Sequence, residues 1–293
     1  MRSFTIFSLT ARVLHIVNPI TIDPHKRARI FLYNAPMDTK SSLSLVSSNT
    51  YDRLLPLVPD EPWASAARAA LLTGHATTYA DDAVHPTVVA TGTMTPEGQA
   101  LFLFGDADNP MLAAFVRAQV GPARLVAADP IRARLPEWRP DATPRQRATF
   151  TPPSSGADAA FAVLPPGGVR RLRPADARHL AAFPAWLWAA YGSPDVMLCE
   201  GIAYARYLRA ELVALACIAG STERYDAIAA YTFERTRRNG FARECAQRLI
   251  GAIVNERGRA PVLTTDAANE AALSLAQSLG MTDRADQIVY DLA

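Results

Sequence analysis

With 293 residues, 49% of them hydrophobic, the chain can bury a large core, and its length suggests two domains, with one large domain as the competing reading. No window offers the ~18 consecutive apolar residues that a bilayer span needs, so a soluble protein with no membrane role is expected. The net charge of +2 is concentrated in residues 1–36, where Arg2, Arg12, Lys26, Arg27 and Arg29 face Asp23 alone, which gives no case for a nucleic-acid surface.

The opening run MRSFTIFSLTARVLHIV is interrupted by Arg12 and His15 and lacks a small-x-small cleavage site, so no signal peptide is expected. Met37, followed by DTKSS, is an alternative start, and residues 1–36 are expected to be a disordered leader or a misassigned start. Cys199, Cys217 and Cys245 form no CxxC pair and the histidines do not cluster. A disulfide framework and a metal site are therefore not expected, and the compartment is expected to be reducing and cytoplasmic.

In chain order, EPWASAARAALLTG carries Trp63, Ala66, Ala67, Ala70 and Leu71 at helical spacing. TVVATGTM and ALFLFGD read as strands joined through the turn signal TPEGQ, a hairpin. MLAAFVRAQV reads as a helix and ARLVAAD as a strand, while TPRQRATFT is too polar to assign. His75 and His85 stand alone and fit surface or hydrogen-bonded structural roles better than catalysis. The Pro-, Ser- and Gly-rich residues 151–167 read as a linker, which sets 37–150 apart from 168–293.

After the linker, GVRRLRP reads as a strand and ADARHLAAFPAWLWAAYG as helical with a break near Pro184. Trp186 and Trp188 fit core positions better than a stacking platform. IAYARYL and ELVALACIAG are strands around Arg209-Ala210, and YDAIAAYTF is a third. FARECAQRLIGAIVNERG then shows Ala242, Cys245, Ala246, Leu249, Ile250 and Ile253 as the apolar stripe of a helix packed on a sheet. APVLTTD, NEAALSLAQSLG and DQIVYDL follow as strand, helix and strand, so the order is βαβββαβαβ.

Between the third strand and its helix lies RTRRNGFA, residues 235–242. The first N–H groups of a helix lack intrahelical partners and its dipole is positive there, so this end attracts anions. Gly240 and the small Ala242 leave room for a close approach, and Arg237 and Arg238 can add charge-assisted bonds. The same residues also fit a solvated basic helix start.

Two stretches in order resemble the GNAT superfamily of acyl-CoA-dependent N-acyltransferases. Arg237-Arg-Asn-Gly240-Phe-Ala242 is similar to that superfamily's R/Q-x-x-G-x-G/A pyrophosphate loop, and Asn269 to Met281 is similar to its N-x-x-(S/A)-x-x-L-x-x-x-L-G-(F/M) helix and exit turn. The resemblance covers about residues 168–293. GHATTYADDAVHPTVVATGTM, LFLFGDADNP and CEGIAYARYL extend it to a bacterial subgroup with a degenerate acetyltransferase-like first half.

What the resemblance implies is an α/β (α+β) GNAT fold, a mixed central sheet flanked by helices, with a divergent GNAT-like half at 37–150 before a catalytic domain at 168–293. It implies acetyl-CoA as acyl donor, without a metal, and a small-molecule primary amine as acceptor; a homodimer stays open. Thr232, Phe233, Arg237, Arg238, Asn239, Gly240, Phe241, Ala242 and Asn269 would hold the cofactor, with the thioester near Tyr231 to Glu234. Glu234 would be the base, or else a carboxylate serving the helix dipole, and Asn269 an arm ligand, an N-cap, or both. Many members carry a tyrosine acid where this chain has Ala276, so either Tyr231 would substitute as the acid or the thiolate would leave into solvent. The alternative to an enzyme is a non-catalytic acyl-CoA-binding module on the same fold.

Overall fold

The computed structural model describes residues 33–34, 42–153 and 168–293. Apart from Tyr33–Asn34, the leader expected at residues 1–36 lies outside them, as does the linker from residue 154 onward. Tyr33–Asn34 (β1) pairs with Gln119–Val120 (β6), and all other strands join one twelve-stranded sheet.

In the first half β2 (Ser44–Leu45), β3 (Thr77–Ala80), β4 (Val88–Thr95) and β5 (Gly98–Gly105) run antiparallel, and β7 (Ala123–Ala127) lies parallel to β5. The helices are α1 (Tyr51–Leu54), α2 (Ser65–Leu72), the crossover α3 (Pro110–Arg117) and α4 (Ile131–Trp138). The second half repeats this plan. There β9 (Val169–Arg171), β10 (Ala203–Leu208), β11 (Glu211–Ser221) and β12 (Tyr225–Thr232) are antiparallel, and β13 (Ala260–Asp266) is parallel to β12. Its helices are α5 (Pro194–Glu200), the crossover α6 (Phe241–Ala252) and α7 (Glu270–Ser278).

Each half closes on a strand of the other. β8 (Thr143–Thr151) pairs with β13, Arg147 to Phe150 against Asp266 to Leu263, while β14 (Asp283–Leu292) pairs with β7. β8 and β14 also pair with each other from Thr143↔Asp291 to Thr151↔Asp283, which makes the two half-sheets continuous. TPRQRATFT is thus a central strand despite its polarity. Cross-strand partners hold its hydrophilic end: Gln146 donates to Asp286 at 3.1 Å and Arg145 pairs with Asp291 at 3.6 Å.

Other differences from the sequence reading have local causes. The helix expected over residues 175–192 is two 3₁₀ segments, Pro174–Leu180 and Ala185–Tyr191, separated around Pro184, whose missing N–H cannot continue a helix. Helix α5 and strand β3 are too short for periodicity to mark them, and α4 carries Pro136 inside it, which reads as a helix breaker. Arg209 and Ala210 both adopt positive φ, 48° and 69°, the twist a two-residue hairpin between β10 and β11 requires.

Helix α2 of the first half packs on β11 and β12 of the second. This seat needs Gly220, beside an irregularity in the β11–β12 register, because a Cβ there would come within 2.8 Å of the Ala69 Cβ. Arg68 Nε and Nη2 reach Glu223 at 2.7 and 2.6 Å, and Asp60 accepts from Thr222 Oγ1 and Arg224 N at 2.6 and 3.1 Å. At the start of β12, fully buried Asp226 accepts from Arg257 Nε at 2.6 Å and Arg259 Nη1 at 3.2 Å. This clamp sits where β12 and β13 still pair.

Removing one partner of a buried ion pair leaves an uncompensated charge, so Asp226→Ala should lower unfolding free energy by about 3–5 kcal/mol, read as a shifted urea midpoint. A cost near that of an average surface substitution would refute the clamp. Gly220→Ala should cost about 1–3 kcal/mol through overpacking, and adding Ala69→Gly should recover much of that loss, which additive effects would not do.

Candidate functional site

β12 and β13 pair only over Tyr225–Ala227 and Ala260–Val262. Beyond that point Leu263–Asp266 takes β8 on its far side, and Ile228–Thr232 keeps only β11. Two parallel strands thus diverge as a wedge whose facing edges carry unpaired backbone groups. Thr232 Oγ1 is buried in the wedge without a hydrogen-bond partner. The wedge opens into a cleft of about 980 Å³ that runs from the N-terminus of α6 to the β4–β5 hairpin of the first half.

The loop before α6 is shaped for an anion. Arg238 (φ 64°) and Gly240 (φ 76°) are both left-handed, a conformation that costs a non-glycine residue ~1 kcal/mol. Asn239 folds its Nδ2 back onto the carbonyls of Thr236 and Arg237, both at 3.1 Å. Those acceptors are turned inward, and among the described residues no acceptor meets the N–H groups of residues 238–243. The left-handed Gly240 at the cap position has no protein atom within 4 Å of where its Cβ would be, so the approach to these donors is open. Arg237, Arg238 and Arg243 line the same end of the cleft. Arg235 does not; it pairs with Glu211.

Asn269 caps α7, its Oδ1 accepting from Ala272 N at 3.2 Å, and also lines the cleft with Ser274 and Ser278. Ala276 is fully buried in the core of the second half and off the cleft. A phenol at that position would have to displace the core before it could reach the wedge.

Of the residues singled out in the sequence, the structure gathers Tyr231, Thr232, Arg237, Arg238, Gly240, Phe241, Ala242 and Asn269 on the cleft. Three others point elsewhere. Phe233 packs against Phe183 with ring centroids 4.7 Å apart, Glu234 is exposed in the turn Glu234–Thr236, and Asn239 serves the loop from within. Trp188 is in the core, whereas Trp186 lines the cleft. Sequence reasoning missed Arg243, in the first turn of α6 and on the cleft, and the first-half wall of Ser65, Thr93 to Glu97 and Arg147.

The corresponding strand-to-helix loop of the first half, between β5 and α3, offers no such cradle. Asn109 Oδ1 occupies the helix start by accepting from Met111 N at 2.9 Å, Pro110 has no N–H, and Asp106 and Asp108 would repel an anion.

Comparison with known proteins agrees with this geometry. A family model described as GNAT acetyltransferase matches residues 175–290. A GCN5-related N-acetyltransferase-like protein of Streptococcus suis is similar in structure, with TM-score 0.61 and 20% identity over 84% of this chain and 99% of that one. A tandem GNAT protein from the clavulanic acid biosynthesis pathway superposes at TM-score 0.53 and 8% identity, over 86% and 98%. A GNAT-family acetyltransferase of Colwellia psychrerythraea superposes at TM-score 0.50 and 12% identity, over 85% and 98%. No curated protein matches by sequence. The structural likenesses show a GNAT fold, and the family match, to GNAT acetyltransferases over residues 175–290, falls on the strands and helices that build the cleft.

Proposed function

We propose that the protein transfers an acetyl group from acetyl-CoA directly to the primary amine of a small molecule. The observation that carries this reading is the juxtaposition of an open, arginine-flanked set of unpaired N–H groups with an unpaired strand edge. The donors of residues 238–243, with Arg237, Arg238 and Arg243, suit a pyrophosphate. The free edge of β12 suits an amide-bearing arm that takes the place of a strand, with Thr232 Oγ1 and Asn269 as additional polar partners.

In this reading the thioester carbonyl rests beside Tyr231 and Thr232, where a backbone N–H of the wedge polarises it. The amine nitrogen attacks the carbonyl carbon, the C–S bond breaks, and the proton lost by the amine is balanced by one gained by the thiolate. Tyr231 lines the cleft and is the proposed acid. Glu234 is exposed and off the cleft, so its carboxylate acts on the loop's dipole, while Glu97 of the first half is the carboxylate on the cleft wall and the better base. A binding module without turnover is the second reading, favoured by the core position of Ala276.

Acetyl-CoA at ~100 times its dissociation constant should stabilise the full chain by about 2.7 kcal/mol, a rise of roughly 5–10 °C in Tm. Gly240→Glu places a carboxylate on the donors and should abolish that shift while the variant stays folded. No shift in the wild type would sink the reading. CoA release with a panel of amines then separates the two readings, since a binding module shows the shift and no turnover.

A further inference from the structure

We propose that Arg147, a first-half residue, binds a carboxylate on the acceptor, so that the substrate is an amine that also carries an acid group; this rests on the acetyltransferase reading above. Arg147 lies in the cleft wall, is only 6% exposed, and its Nη1 has no hydrogen-bond partner. Among the described residues no ion pair or side-chain hydrogen bond is recorded for its guanidinium; the Phe102 ring lies 5.6 Å from the guanidinium carbon, and the Glu97 carboxylate acts on it only through space.

The protein carboxylates close by are drawn to another cation, firmly for Asp291 and Asp266 and only loosely for Glu97. Arg124 takes Asp291 at 2.7 and 3.0 Å, Asp266 at 3.3 Å and Glu97 at 3.9 Å. Burial draws the Arg147 guanidinium down to about 10, against the pull of Glu97, so it remains charged at neutral pH. An uncompensated buried cation is costly, and a protein gains by keeping one where a ligand supplies the counter-charge. The planar fork of arginine matches a carboxylate in particular.

Position separates this cation from the phosphate loop. Strand alternation sends Arg147 to the opposite face of β8 from Ala148 and Phe150, over the first-half core containing Phe102. It belongs to the wall built by Ser65 and Thr93 to Glu97, whereas the phosphate donors belong to the start of α6.

The test measures acetyl-CoA-dependent CoA release with matched pairs of amino acids and their carboxamides, in wild type, Arg147→Met and Arg147→Lys. The wild type should favour the acid of at least one pair by ~30-fold or more in kcat/KM, as expected for a buried charge pair. Arg147→Met should collapse that ratio, leave the acetyl-CoA dissociation constant unchanged, and raise the Tm of the ligand-free protein, whereas Arg147→Lys should retain part of the preference. Where no amine is turned over, the N-acetylated acids and amides are titrated into the CoA-loaded wild type, with the same preference expected. Equal use or binding of acid and amide overturns the proposal while a retained acetyl-CoA shift leaves the acetyltransferase reading standing. Loss of acetyl-CoA affinity in Arg147→Met, or a lowered Tm, overturns it too, since Arg147 would then be a phosphate ligand or a structural strut.

Discussion

The antiparallel pairing of β8 with β14 is the contact on which the rest of the molecule depends. Without it the sheet would be two six-stranded half-sheets, one ending on the open edge of β14 and the other on that of β8. With it, each half supplies the strand that covers the other's edge. The first half is therefore part of the site, because β8 delivers Arg147 and the β4–β5 hairpin delivers Glu97 to a cleft whose other walls come from the second half.

The wedge is the complement of that pairing. β12 pairs with β13 for three residues and then loses it, while β11 continues along its other side to Thr232. The divergence is fixed at its base by the buried Asp226 clamp and on its far side by the ladder between β13 and β8. Backbone groups without partners are expensive to bury, so an open wedge persists only where surrounding structure imposes it and a guest can satisfy it. The left-handed Arg238 carries a further local cost at the mouth of the same cleft.

What was legible in the sequence was local chemistry. The loop Arg237 to Ala242 and the capping Asn269 could be read because a strand, a turn and a helix start are contiguous in the chain, and their geometry follows from neighbours. Direction was harder: Phe233, Glu234 and Asn239 lie within the right segment, yet each side chain answers to Phe183, to solvent or to the loop's own carbonyls. β8 was illegible for a different reason. Its polar residues look unfit for a sheet interior until Asp286, Asp291 and the cleft are present, and those partners lie more than a hundred residues away in the chain or are open space.

The strand exchange also bears on how the molecule is made. During synthesis β7 and β8 emerge well before β14, so the first half must wait with the edge of β7 uncovered and β8 without either neighbour until the last described strand leaves the ribosome. Such pairings join distant segments and are slow to form. An isolated fragment holding either half alone would keep those sticky edges permanently, so each half needs the other to close its sheet.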